Sequence, residues 1–259
     1  MWSIADLERI SLTMWNAAEE IEYDGWILRF AGGYSGRANS VQTYSASSLP
    51  VAEKVAYCEA MYAQRQIPII FKLTTATQPP DLDPFLREHG YTLRNTTSVQ
   101  LLNIADTSAV LDDSFRVYIG NAENGIFPPD IASWMEHAQR IKQFSPQDEI
   151  SHRTIQSYLT LPSGYGVVHD PTGQVVAVGI CVYDPQTKLC GIFDIGVHPD
   201  YRRAGYGRSI TTNLIAWGKS QGAETAYLQV DMSNTNALPL YVSLGFVEFY
   251  QYWYLHKRA

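Results

Sequence analysis

Apolar residues along this chain switch between two spacings, and the switches mark out a succession of strands and helices. Phe193, Ile195 and Val197 alternate with Asp194 and Gly196, the period of two that predicts a strand over 189–197. Pro199 ends it, having no N–H to give to a ladder. Ile210, Leu214, Ile215 and Trp217 then recur at helical intervals. In the first half, Ile4, Leu7, Ile10, Met14 and Trp15 predict an amphipathic helix over 3–20. Trp26, Leu28 and Phe30 predict a strand, joined through a glycine-rich turn at 31–36 to a returning strand over 40–44. Pro50 opens a helix through Val55, Cys58 and Tyr62. A buried strand at 67–73, a short helix through Leu82 and Leu86 closed by Gly90, and a strand over 91–104 complete this half.

The second half follows a similar plan. A strand at 115–119 precedes helices opening at Pro128 or Pro129 and spanning 149–159. Strands at 165–169 and 175–183 flank Asp170-Pro171-Thr172-Gly173, residues that a type I turn favours. After the central strand and its helix come a strand at 226–230, a helix at 237–244 and an aromatic strand at 247–256. The short helices end alike, Leu86-Arg87-Glu88-His89-Gly90-Tyr91 beside Tyr241-Val242-Ser243-Leu244-Gly245-Phe246. The pattern reads as a degenerate internal repeat, one lobe over 1–110 and another over 114–259.

Composition narrows the function. The 259 residues are 46% hydrophobic, enough for one large domain or two small ones. The net charge of −7 disfavours nucleic acid and anionic membranes, whose phosphates need Lys and Arg. Cys58, Cys181 and Cys190 form no CxxC and predict reduced, buried thiols. No apolar run approaches the ~20 residues that span a bilayer, and the N-terminus lacks a basic leader, so a cytoplasmic protein is expected. The six histidines have no metal-ligand spacing such as HExxH, and no metal is expected.

Between the central strand and its helix stands Arg202-Arg203-Ala204-Gly205-Tyr206-Gly207-Arg208. Glycines allow close approach of a ligand to the backbone, and first-turn N–H groups lack intrahelical partners. The helix dipole and three arginines add positive charge, so the stretch predicts a pyrophosphate cradle. It is neither a G-x-G-x-x-G fingerprint nor a Walker A loop. The order Val-x-Pro-x-Tyr-Arg-x-x-Gly-x-Gly at 197–207 resembles motif A of the GNAT acyltransferase superfamily. Asn234, Ala237, Leu240, Tyr241, Gly245 and Phe246 fit the spacing of its motif B.

The resemblance covers about 115–259 and implies an α/β (α+β) fold of tandem GNAT-like lobes, each a mixed, mostly antiparallel sheet flanked by helices. It implies acetyl-CoA held by Ile195, Gly196, Val197, Arg202, Arg203, Ala204, Gly205, Tyr206, Gly207, Arg208 and Asn234. The implied reaction moves an acetyl group to a primary amine of a small molecule or peptide, in a monomer or homodimer. Gly25-Trp26-Ile27-Leu28-Arg29 and the segment 36–41 also resemble bacterial GNAT proteins whose N-terminal lobe is degenerate. Consistent with that, 45–50 has no Arg-x-x-Gly-x-Gly, and Leu86 replaces the tyrosine.

Tyr241 is the candidate general acid, since a phenol near pKa 10 can protonate a thiolate near 8.5. The Val197 amide is the candidate oxyanion donor. Asp194 is a carboxylate in an apolar strand and has two readings, a base activated by burial or a hydrogen-bonded structural residue. Asp231 and Glu136 are further candidates for the base; His198 reads as a solvated turn residue, and Asn236 as the N-cap of the helix after it. Arg37 and Asn39 either line a shared cleft or make turn and ion-pair contacts. Aromatic residues at 249–254 pack the lobes together or line an acceptor pocket. The competing class is a non-catalytic acyl-CoA-binding regulator, which would bind acetyl-CoA and release no thiol.

Overall fold

Ser3 begins the first helix with a capping box. Its hydroxyl accepts from the Asp6 amide while the Asp6 carboxylate accepts from the Ser3 amide. A computed structural model describes residues 2–107 and 110–257. Helix α1 (Ile4–Met14) is shorter than its apolar spacing predicts. Arg29 takes the carbonyls of Leu12 and Trp15 at 3.0 Å each, satisfying the end of the helix from outside. Glu19–Tyr23 forms strand β1 instead, paired antiparallel with β2 (Trp26–Phe30). An edge strand has one neighbour and a solvated flank, so Glu-Glu-Ile-Glu-Tyr carries little apolar signal.

The glycine-rich turn is a hairpin to β3 (Val41–Gln42), containing one 3-10 turn at Gly36–Ala38. Then come α2 (Val51–Gln64), β4 (Ile70–Leu73), α3 (Leu82–Glu88) and β5 (Thr92–Asn103). The second half comprises β6 (Phe115–Ile119), α4 (Pro129–Lys142), α5 (Pro146–Ser157), β7 (Ser163–His169), β8 (Val175–Asp184) and β9 (Leu189–Val197). It ends with α6 (Tyr206–Ser220), β10 (Thr225–Asp231), α7 (Ala237–Ser243) and β11 (Val247–His256).

The eleven strands among the described residues join in one sheet of order β1-β2-β3-β4-β11-β5-β10-β9-β8-β7-β6. The pairs β3/β4 and β9/β10 run parallel; the other neighbours are antiparallel. The C-terminal strand β11 therefore lies between β4 and β5, and β5 lies between β11 and β10. The two halves exchange strands, which fuses their sheets.

Alternation along β9 sends Phe193 to one face and Ile192 to the other. Phe193 packs with Trp15, Trp134, Tyr227, Tyr252 and Tyr254, beneath α1, α4 and α5. Ile192 packs with Ile210, Leu214, Leu228 and Tyr241, beneath α6 and α7. Burying a residue such as Leu214 contributes roughly 1.5–3 kcal/mol. A third cluster holds α2 and α3 on the first-half strands through Trp26, Tyr62, Phe71 and Leu86. All three cysteines are free and buried, as their number and spacing predict. Among the described residues no helix is long and apolar enough to cross a membrane.

Candidate active site

The sheet opens where β9 and β10 part. They pair only from Thr225↔Leu189 to Leu228↔Ile192, and beyond that point β10 continues with β5 alone. Strand β9 bends away through a bulge opposite β8, between the pairs Ile180↔Phe193 and Val178↔Gly196. Asp194 sits in the bulge with φ +58, a left-handed conformation that side chains rarely adopt. His198 donates its amide to Val176 on β8 at 2.9 Å. Successive amides of a strand point to opposite sides, so the Val197 amide faces the opening left by β10.

Past the 3-10 turn Pro199–Tyr201 the chain enters the arginine-glycine loop. Arg202 donates its amide to the Pro199 carbonyl, and Arg208 and Ser209 both donate to the Gly205 carbonyl. The amides of 203–207 in between have no protein acceptor among the described residues. Gly205 is the N-cap of α6 at φ +89, a conformation open to glycine at little cost. Bare amides at the start of a 15-residue helix fit a pyrophosphate group well. A cleft of about 740 Å³ continues from Gly205 along Arg208, Ser209 and Thr212 to Asp112 and Asp113.

Helix α7 is tied to this loop. Arg203 donates to Asn236 at 3.2 Å, and Arg208 donates to Ser243 at 2.5 Å. A methyl group on Gly207 would lie 3.4 Å from Leu240 and 3.8 Å from Val197, so α7 abuts both the loop and the mouth of the opening. The next residue, Tyr241, is 7% exposed, and burial pushes its phenol up to about 12. Asn234 caps α7, its side-chain oxygen accepting from the Ala237 amide at 3.0 Å. Asn236 makes no such cap, contrary to the expectation from its position, because its side chain is turned to Arg203.

Asp194 is held from two sides on the opposite face of the sheet. One carboxylate oxygen accepts from Lys142 at the end of α4, and the other contacts His152 Nε2 of α5 at 2.6 Å. The Asp194 and His152 side chains are 3% and 2% exposed, whereas Lys142 is 19% exposed. Burial, with the nearby Arg37 charge, lowers the Lys142 ammonium to about 7. Burial also lowers His152, to about 3, so its ring is neutral. The Lys142 stem lies over Gly196, where an added methyl would be 3.1 Å from Cγ. Neither Lys142 nor His152 stood out in the sequence, because their helices meet β9 only in the tertiary fold.

On this same face a cavity of about 180 Å³ opens beside the parting of β9 and β10. Its walls come from the 3-10 turn, β5, β10 and β11, including Arg37, Asn95, Gln229, Asp231 and Tyr254. Arg37 lies 4.7 Å from the Trp15 ring and 5.3 Å from the Phe193 ring. Asn39 is a turn contact, accepting from the amides of Ala31 and Gly33. Burial pushes the Asp231 carboxyl up, but hydrogen bonds from Ser233 and Asn95 outweigh it and hold it below its usual value. Of the β11 aromatic residues, Tyr252 and Tyr254 pack in the core and also line the cavity. Glu136 belongs to α4, His198 accepts from the Asp200 amide within its own turn, and neither borders this cavity.

Residues 3–255 match the model of a family described as probable histone acetyltransferase Rv0428c, C-terminal. The chain belongs to this family. It is an acetyltransferase of the GNAT superfamily, and its relatives agree. The uncharacterized N-acetyltransferase YobR of Bacillus subtilis is 26% identical over 259 residues, all of both chains. The ribosomal protein bS18-alanine N-acetyltransferase of Escherichia coli is 46% identical over 57 residues, 22% of this chain and 38% of that relative. Among solved structures, a GCN5-related N-acetyltransferase from Kribbella flavida shares the fold at TM-score 0.71 and 15% identity, covering 100% of this chain and 97% of the other. A tandem GNAT protein from the clavulanic acid biosynthesis pathway aligns at TM-score 0.58 and 10% identity, over 79% of this chain and 68% of that one.

Proposed function

We propose that this acetyltransferase uses acetyl-CoA and acetylates a primary amine at one site, built by a lobe over 114–259 and completed by a lobe over 1–110. The observation that carries the reading is the row of unpartnered amides at 203–207, opening onto the gap between β9 and β10 beside Tyr241. Arg202, Arg203, Ala204, Gly205, Tyr206, Gly207 and Arg208 would hold the pyrophosphate. Ile195, Gly196 and Val197 would receive the pantetheine arm, with Asn234 at its flank. Acetyl-CoA supplies an acyl group on a good leaving group.

The amine nitrogen forms a bond to the acyl carbon while the carbon–sulfur bond breaks. Val197 donates its amide to the oxygen that gains charge; such a donor is typically worth about 100- to 1000-fold in rate. Tyr241 gives its proton to the departing sulfur and regains one through solvent from the acylated nitrogen. Burial keeps the phenol protonated at neutral pH, and the phenolate left by the transfer, a stronger base than the thiolate, is at once reprotonated by the proton that the acylated nitrogen releases. Before attack the ammonium must lose a proton. Asp194 acts here through Lys142, the member of its cluster that reaches solvent and titrates near neutrality.

The test is calorimetry with acetyl-CoA followed by thiol release across an amine library. One bound acetyl-CoA per chain and amine-dependent thiol release are expected. A protein that fails to bind acetyl-CoA would refute the proposal.

A further inference from the structure

We infer that the 180 Å³ cavity selects an acceptor carrying a carboxylate beside its amine, an amino acid rather than a plain or polycationic amine. This rests on the acetyl-transfer reading and names the acceptor of that same site. Three features of the walls converge on it. The first is Arg37, whose guanidinium is stacked against Trp15 and Phe193 and has no carboxylate partner among the described residues. A guanidinium fixed on aromatic faces with its N–H groups unpaired is a fork for a carboxylate. Its backbone is fixed too, because the Arg37 carbonyl accepts from Arg29 at 2.8 Å.

The second feature is Asp231. Its carboxylate is oriented by Ser233 and by Asn95, at 2.6 Å from each, and these bonds hold it ionised. Among the described residues this cation and this anion border a cavity of about 180 Å³ without pairing with each other, an arrangement matched by a zwitterion. The third is Tyr254, 5% exposed, which with Tyr252 gives the cavity an aromatic wall against which the apolar part of a ligand can lie.

Position favours the same ligand. Arg37 touches Phe193, the residue at which β9 leaves β10, so a carboxylate held there keeps a neighbouring amine at the gap. A diamine would bring a second cation toward Arg37 in a low-dielectric pocket, where like charges repel strongly.

Matched trios test the idea: each amino acid, its amide and its decarboxylated amine (for example threonine, threoninamide and 1-amino-2-propanol). Each is titrated calorimetrically into the protein with coenzyme A present and absent, and assayed for acetylation. A charge-assisted carboxylate contact predicts that at least one amino acid binds about 10- to 100-fold more tightly than its two analogues. Arg37→Gln should erase that preference and leave coenzyme A affinity within about twofold; Arg37→Lys, which keeps charge and stacking bulk, should restore part of it. The inference falls if the analogues bind as well as the amino acids, or if the folded Arg37→Gln protein keeps the preference. Coenzyme A binding with no amino acid binding overturns it alone. Amino acid binding without coenzyme A binding upholds the pocket and overturns the acetyl-CoA reading.

Discussion

Two helices of this protein start after a parallel strand, and they treat the charge at their N-termini in opposite ways. At α2 the amides of Ser48 and Leu49 donate to the Asp24 carboxylate at 2.9–3.0 Å, with Lys54 3.3 Å from it. The chain supplies its own anion there, and those amides hold the Asp24 carboxyl well below the usual carboxylate range. At α6 the amides of 203–207 have no acceptor among the described residues and stay open. The short helices differ in the same sense. α3 presents Leu86, fully buried, where α7 presents Tyr241. Near α2 the amides are satisfied from within the chain, and before α6 they are left for something outside it.

The sharpest break of that comparison is at the paired positions. Tyr241→Phe should lower kcat by about 100- to 10,000-fold, the share of acid catalysis, with acetyl-CoA affinity unchanged in calorimetry. Leu86→Ala should do the reverse, costing about 2–5 kcal/mol of stability in denaturant unfolding and sparing kcat per folded molecule. Next, Gly205→Val puts a β-branched residue at φ +89 and a side chain into the cradle, and should weaken acetyl-CoA by at least about tenfold.

The pH profile tests how the two sites use charge. If neutral Lys142 receives the proton, kcat/KM rises through about pH 7, and Lys142→Met removes that limb. Asp24 contributes to stability instead. Its folded pKa lies below the ordinary 3.8, so its contribution is full above that value and fades as pH falls. Thermal unfolding of Asp24→Asn should therefore show a lowered Tm near neutrality that converges on the parent in acid, with acetyl-CoA stoichiometry still one. The smallest effect is expected from Arg203→Ala, which removes one exposed cation and its bond to Asn236 and should weaken acetyl-CoA only a few-fold.

What could be read from the sequence was what is local. The β9 strand, the bare loop and α6 lie within about thirty consecutive residues, and their spacing carries both shape and chemistry. The turn at 170–173 and the glycine ends of α3 and α7 are local in the same way. The end of α1 was not legible, because the group that satisfies its carbonyls is Arg29, more than a turn away in sequence and on another strand. Asp194 was noticed as a buried carboxylate, yet its partners Lys142 and His152 come from helices about forty to fifty residues earlier. Arg37 and Tyr254 meet at one cavity from opposite ends of the chain, and no periodicity links them.

The exchange of β5 and β11 bears on how this molecule can be divided. A cut in the connector near residue 110 would strand β5 with a fragment whose remaining strands it does not touch directly, and leave β10 with β9 as its one neighbour. Each fragment would carry raw hydrogen-bonding edges in the middle of its sheet, an invitation to aggregate. The first half thus serves as a splint: a descendant that discarded it would have to rebuild the sheet around β10 and β11 and one wall of the cavity beside them.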